Sequence, residues 1–251
     1  MNELVVGLIS FVAIFGSALL GIVVARALPK HHLSDQTRTA VSVSAAVVGT
    51  LSALVLGLLI STANSSFSAR SSEVTAISED LIRMNRMMQR YGPEADDVRA
   101  KLRTYATAKM QELFPASGKP SRAGEATVRM METTQDAMLL LAPTDEKHRW
   151  LRSQALTLSD GLLQARWLLT EQSGSHIPLP FLILLMFWLS IVFGSFGLFA
   201  PRNVTAVVLF CLCSMAVSGC ITMILELDSA FSGLIRVSAE PMRQALAQIM
   251  N

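Results

Sequence analysis

The sequence predicts an all-α fold: a four-span helical membrane protein with an extramembrane helical bundle inserted between spans two and three. Three observations predict it. Half of the 251 residues are hydrophobic, only 16% are charged, and the mean hydropathy is positive. Four runs, at about 4–25, 40–63, 181–200 and 204–225, carry no charged residue and are long enough to cross a bilayer as helices. Between the second and third, residues 64–177 turn polar, with 15 Lys/Arg and 14 Asp/Glu over 114 positions, yet keep a helical apolar spacing. The chain therefore divides into a transmembrane hairpin (1–63), a bundle (64–177), a second transmembrane hairpin (178–225) and an amphipathic tail (226–251).

The first run follows Glu3 rather than a basic segment and exceeds the hydrophobic length of a signal peptide, so it reads as a retained span. Ala13, Ser17, Gly21 and Ala25 recur along it at every fourth residue. Pro29 ends this helix and Ser34 is placed to cap the next. His31 and His32, neighbours in sequence, point apart on any regular element, which speaks against a shared metal site. The second run has its own ladder, Ala45, Gly49, Ala53, Gly57 and Ser61. Small side chains let helix backbones approach closely in a membrane, so spans one and two are expected to pair as a tight hairpin.

Phe67, Val74, Ile77, Leu81, Met84, Met88 and Tyr91 continue a three-four spacing beyond the second run, so that helix is expected to continue outward as an amphipathic one. Taken from Asp35 to Tyr91 it would be about 85 Å long at 1.5 Å per residue. The Ser-rich stretch 64–72 is where it would break, and Gly92-Pro93 stops it. A second bundle helix runs from about 94 to 113, and a Pro/Gly-rich loop follows at 114–124. A third spans about 125–141, and Thr144 is placed to cap a fourth from 145 to about 172, where Leu151, Ala155, Leu158, Leu162, Ala165 and Leu169 keep heptad spacing. Ile177-Pro178-Leu179-Pro180 precedes the aromatic-rich third span, Pro201-Arg202-Asn203 is a turn with Asn203 as cap of the fourth, and the tail holds a helix that Ser238 could cap.

Function is less legible. The net charge of +2, with basic and acidic residues interleaved, excludes a nucleic-acid footprint. No phosphate loop, nucleophile elbow, zinc-protease helix or paired-cysteine motif occurs, so no enzyme activity and no cofactor are expected. Cys211, Cys213 and Cys220 share one apolar run and read as small hydrophobes. Met84, Met87, Met88, Met130 and Met131 coincide with apolar helix faces and read as core rather than as copper ligands; Glu94, Asp96 and Asp97 fit a helix first turn better than a calcium site. The nearest thing to a functional constellation is in the fourth span: Ser214, Ser218, Thr222 and Glu226 share one helical face, with Asp228 just beyond. Hydroxyls replace hydration and carboxylates attract cations, so the stripe is a candidate pore lining and mouth; its plainer reading is hydrogen bonding within or between helices. No charged residue lies inside any run, which disfavours a proton relay or voltage sensor and points to conduction between subunits of a homo-oligomer. The competing class is a non-conducting scaffold or sensor that engages a protein partner through its long helices.

Eight segments together resemble the bacterial bestrophin-like four-span family: PKHHLSDQT at 29–37, LGLLI at 56–60, RYGPE at 90–94, RWLL at 166–169, IPLPF at 177–181, SFGLFAPRN at 195–203, LELD at 225–228 and FSGLI at 231–235. The resemblance covers nearly the whole chain. It implies kinship with bestrophins, pentameric anion channels whose second membrane helices line a neck with aromatic residues. Residues 40–63 contain no aromatic residue, so an aromatic neck does not carry over to this sequence.

The resemblance places the protein in the bacterial inner membrane as a multi-pass chain. Counting Lys and Arg in short loops puts 26–38 and the Arg202 turn in the cytoplasm, and hence the bundle, N-terminus and tail outside. Arg236 and Arg243 in the tail count against this orientation, as does the family likeness.

Overall fold

The computed structural model describes residues 3–29, 34–115, 124–171, 179–201, 203–231 and 233–250, with the backbone alone for 165–171 and 179. The His31–His32 pair, Arg202, most of the 114–124 loop, Ile177-Pro178 and the side chains of Ala165 and Leu169 lie outside the described residues. Every regular element among the described residues is helical: α1 (Glu3–Ala27), α2 (Asp35–Tyr91), α3 (Asp96–Leu113), α4 (Gly124–Leu139), α5 (Glu146–Glu171), α6 (Leu179–Phe199), α7 (Val204–Asp228) and α8 (Glu240–Met250). Four of them, α1, α2, α6 and α7, are long and apolar enough to cross a membrane. The chain forms two compact units, 1–66 with 175–229, and 67–174 with 230–251; α2 contributes to both, and the tail belongs to the second.

The first unit is organised around α1, which packs against α6 and α7. Ile14 and Ala18 form a core with Leu185, Leu189 and Phe193 of α6. The backbones of α1 and α6 touch: a Cβ added to Gly21 would overlap the Gly194 carbonyl and come within 2.9 Å of the Leu198 nitrogen, and one added to Gly197 would overlap the Ala18 carbonyl. With acyl chains as apolar as the side chains themselves, this close fit is what holds membrane helices together.

The partner of α1 differs from the hairpin expected of the two ladders. Gly21 meets α6, whereas nothing lies within 4 Å of where Gly49 or Gly57 would carry a Cβ. The reason is geometric. At 3.6 residues per turn each step of four residues rotates by about 40°, so the five-position ladder of α2 drifts by about 160° and its two ends no longer share a face. Ala45 is buried, Gly49 is half-buried, and Ala53, Gly57 and Ser61 are exposed. α2 meets the core instead through the bulkier Val55, Leu56 and Leu59. On α1, Ala13 and Ser17 are half-buried, and the Ser17 hydroxyl donates to the Ile14 carbonyl at 2.7 Å.

α2 is helical throughout its Ser-rich stretch, 57 residues without a break, and its residues from Phe67 on belong to the second unit. Its inner face, Val74, Ile77, Leu81, Met84, Met88 and Tyr91, joins Leu102 and Tyr105 of α3, Met131 and Met138 of α4, Leu151, Ala155 and Leu162 of α5, and Met242 and Ile249 of α8 in one core. Methionine suits this place because its unbranched side chain fills irregular gaps between crossing helices. α2 ends where Gly92 takes φ +122°, a left-handed conformation glycine reaches without a Cβ penalty, and Pro93 opens a single 3-10 turn at Pro93–Ala95 before α3. The cap of α5 is Asp145 rather than Thr144: its carboxylate accepts from the His148 backbone N–H at 2.7 Å, the reach of an N-cap to the third helical residue. The tail is tied in by the Arg103 guanidinium, which donates to the Ile249 carbonyl at 2.9 Å, and by an edge-on contact of Phe231 with Phe114.

Candidate functional site

The hydroxyl stripe lies on α7, whose start is fixed by Asn203; its side-chain oxygen accepts from the Ala206 N–H at 2.9 Å. The helix turns this stripe toward α1. The Ser218 hydroxyl donates to the Gly7 carbonyl, a bond across the two helices. Thr222 donates to the Ser218 carbonyl at 2.9 Å, and its hydroxyl occupies the space a Cβ on Gly7 would need. Ser214 is fully buried, and its hydroxyl has no hydrogen-bond partner among the described residues. Glu226 and Asp228 are 5% and 8% exposed, and one residue further on Ser229 donates to the Glu3 carboxylate at 2.9 Å. Ser218 thus ties α7 to α1 by a hydrogen bond and Thr222 by packing against Gly7.

The membrane-length helix left most open is α2. Only 11% of its most apolar 18-residue window is buried, against 33% for α1, 33% for α6 and 22% for α7. Two exposed stripes run along it. Val43, Val47, Leu51, Leu54 and Leu58 form one. Ala46, Thr50, Ala53, Gly57 and Ser61, spaced by fours and threes so that they share a face, form the other. The Thr50 hydroxyl donates to the Ala46 carbonyl at 2.9 Å, as does the Thr62 hydroxyl to Leu58. This second stripe was present in the sequence, but the every-fourth ladder crossing it hid it; the three-four spacing is the signal that finds it.

The acids near the start of α3 have local partners. Asp97 pairs with Lys101 at 2.6 Å, and Asp96 with Arg99 at 3.4 Å. Further back on α2, burial and then the neighbouring Asp80 raise Glu73 above the ordinary carboxylate range; burial also raises Asp80, with Arg83 opposing. Among the described residues no three His, Cys, Asp or Glu come together as a metal-ligand group.

Four apolar helices of bilayer-spanning length, three of them packed through glycine and serine contacts, define an integral membrane protein of the all-helical class. The chain belongs to the bestrophin-like family: the model of the bestrophin-like domain matches residues 12–242. Its fold is similar to that of variants of a bacterial bestrophin homologue from Klebsiella pneumoniae. One is 12% identical with a TM-score of 0.69, covering 98% of this chain and 99% of that one; another is 12% identical with a TM-score of 0.70 over 96% and 97%. A solved structure titled only as a membrane protein is 11% identical, with a TM-score of 0.69 over 97% of each chain. No curated protein matches the chain.

Proposed function

We propose that the protein is a subunit of a homo-oligomeric ion channel or pore of the bacterial inner membrane, with the second span of each copy arranged around the conducting path. The observation that carries this reading is α2. It has the smallest buried share of its apolar window among the membrane-length helices, and beside its leucine stripe it presents Ala46, Thr50, Ala53, Gly57 and Ser61. A ring of copies gives both stripes a place: the leucines against a neighbour or lipid, the small and hydroxyl residues toward an axis where they leave room for a permeating ion. Membership of the bestrophin-like family and the likeness to bestrophin homologues support an assembly of this kind. With Ser218 and Thr222 engaged against α1, we keep Glu226 and Asp228 as candidate mouth residues and assign the hydroxyl stripe to holding α7 in place. Residues 64–177 form the extramembrane bundle in this reading. The test is current from purified protein in planar bilayers. Single-channel steps whose selectivity shifts on Glu226→Gln are expected; silent bilayers with folded oligomer would refute the proposal.

One observation favours a second reading, a non-conducting scaffold or sensor. α2 is one uninterrupted helix of 57 residues that contributes to both units. Cross-linking would then capture a distinct protein partner, and disrupting Leu158 and Leu162 would abolish activity without altering permeability. Orientation has its own test, because the loop-charge count and the family likeness point in opposite directions. A cytoplasm-only reporter fused after Asn251 is dark if the bundle is outside and bright if it is inside.

A further inference from the structure

At one end of the first unit the start of α2, the end of α6 and the start of α7 line an open cavity of about 390 Å³. Its wall is apolar and aromatic, including Phe196, Phe199, Leu209 and Phe210; its polar groups are Arg38, Ser42, Ser195, Asn203 and Thr205. Among the described residues no carboxylate lines it, and the nearest acid in sequence, Asp35, is not part of it. Arg38 is exposed, and its guanidinium makes no ion pair among the described residues. Two helix N-termini, those of α2 and α7, end beside the cavity, and each adds the partial positive charge of its free N–H groups. The C-terminal end of α6 carries the opposite sign, so the guanidinium decides the balance.

This combination has a chemical meaning. The space is far larger than one phosphate group needs and falls in the range of pockets that hold extended organic ligands. The lining combines a cation and hydroxyl groups with a hydrocarbon surface, and all three lining helices are membrane-length and have an end here, which puts the cavity where headgroups meet acyl chains. We propose that the cavity binds an anionic phospholipid, its phosphate on Arg38 and the hydroxyls, its acyl chain along Phe196, Phe199 and Leu209. The apolar wall selects a lipid over a free anion, because phosphate alone would leave that surface facing water. The proposal does not rest on the channel reading.

The experiment uses the full-length protein in detergent doped with phosphatidylglycerol, phosphatidylcholine or inorganic phosphate, with retained lipid counted by native mass spectrometry. Wild type is expected to retain phosphatidylglycerol about fivefold more tightly than phosphatidylcholine, the change that about 1 kcal/mol per basic residue near a headgroup corresponds to. Arg38→Gln, at an exposed position that leaves the core untouched, is expected to reduce that preference to near unity. Ala206→Trp, which fills the cavity, is expected to exclude both lipids; its melting temperature reports whether it has folded. Equal retention of the two lipids by wild type, an undiminished preference in Arg38→Gln, or displacement of phosphatidylglycerol by inorganic phosphate at equal concentration would each overturn the proposal.

Discussion

Gly21→Ala adds one methyl group at the tightest point of the first unit. That methyl would overlap the Gly194 carbonyl oxygen and lie 2.9 Å from the Leu198 nitrogen and 3.1 Å from the Gly194 carbonyl carbon. All three obstacles are backbone, so no side chain can rotate away, and α1 and α6 must part by about 1 Å. A gap of that size forfeits about a quarter to a half of the dispersion energy across the contact. Overpacking costs about 1–3 kcal/mol, and a backbone obstacle places this case at the upper end, about 3 kcal/mol. At about 2–4 °C per kcal/mol for a chain of this size, the melting temperature should fall by about 6–12 °C. Gly16→Ala is the control, on the same helix with nothing within 4 Å of its Cβ position; it should be neutral or gain a few tenths to 1 kcal/mol (about) from lost chain entropy. The assay is thermal unfolding in detergent, followed by fluorescence of Trp188 on α6, the one tryptophan in the first unit. Equal melting of Gly21→Ala and Gly16→Ala would refute the backbone-contact account of α1–α6 packing.

Other outcomes follow from particular contacts. Gly7→Ala drives a methyl into the Thr222 hydroxyl, and Thr222→Ala in the same chain should recover most of the loss; a double-mutant cycle is expected to show about 1–2 kcal/mol of coupling. Lys109, 1% exposed, holds Glu112 at 3.0 Å while Thr127 donates to the same carboxylate at 2.6 Å. Lys109→Met should cost about 3 kcal/mol or more in denaturant unfolding, and Lys109→Met with Glu112→Leu should cost less than the single change. The His148 backbone N–H and ring hold Asp145 below the usual carboxylate range. A lowered value contributes stability above the ordinary pKa and loses it as pH falls through the lowered one, so the melting deficit of Asp145→Ala should be full at pH 7 and shrink below about pH 4. Burial raises the Tyr91 phenol, whose contribution is full below its ordinary pKa of about 10 and is lost as pH rises further. The stability deficit of Tyr91→Phe should therefore be full below about pH 10 and shrink in stronger alkali.

The parts legible in the sequence were those set by strong, local rules. Uncharged runs of about 20 residues report membrane-length helices, because a bilayer leaves a backbone few alternatives. Asn203 was readable as a cap because its short side chain reaches one particular N–H, and Gly92-Pro93 as a stop because the backbone there needs a left-handed residue without a Cβ. Which helix packs on which was not legible. The ladders of α1 and α2 look alike, but the pairing is decided by Gly21 and Gly194 meeting across α1 and α6, and sequence spacing holds no information about that encounter. The same gap explains the hydroxyl stripe. A serine that lines a path and a serine that bonds a neighbouring carbonyl have the same spacing, and Ser218 is resolved only by its bond to Gly7. For Thr144 and Asp145 the choice of cap turned on one residue of register, within the ordinary fraying of a helix end.

Whether α2 surrounds an ion path is decided by asking whether Gly57 faces water in a conducting channel. A Gly57→Cys chain, with Cys211, Cys213 and Cys220 replaced by Ala, would be recorded in a planar bilayer while a water-soluble, membrane-impermeant cationic thiol reagent is added. The proposal predicts stepwise loss of single-channel current on modification, with Leu58→Cys, one position away on the leucine stripe, unaffected. Unchanged current from the modified Gly57→Cys channel, or an equal response at Leu58, would contradict it.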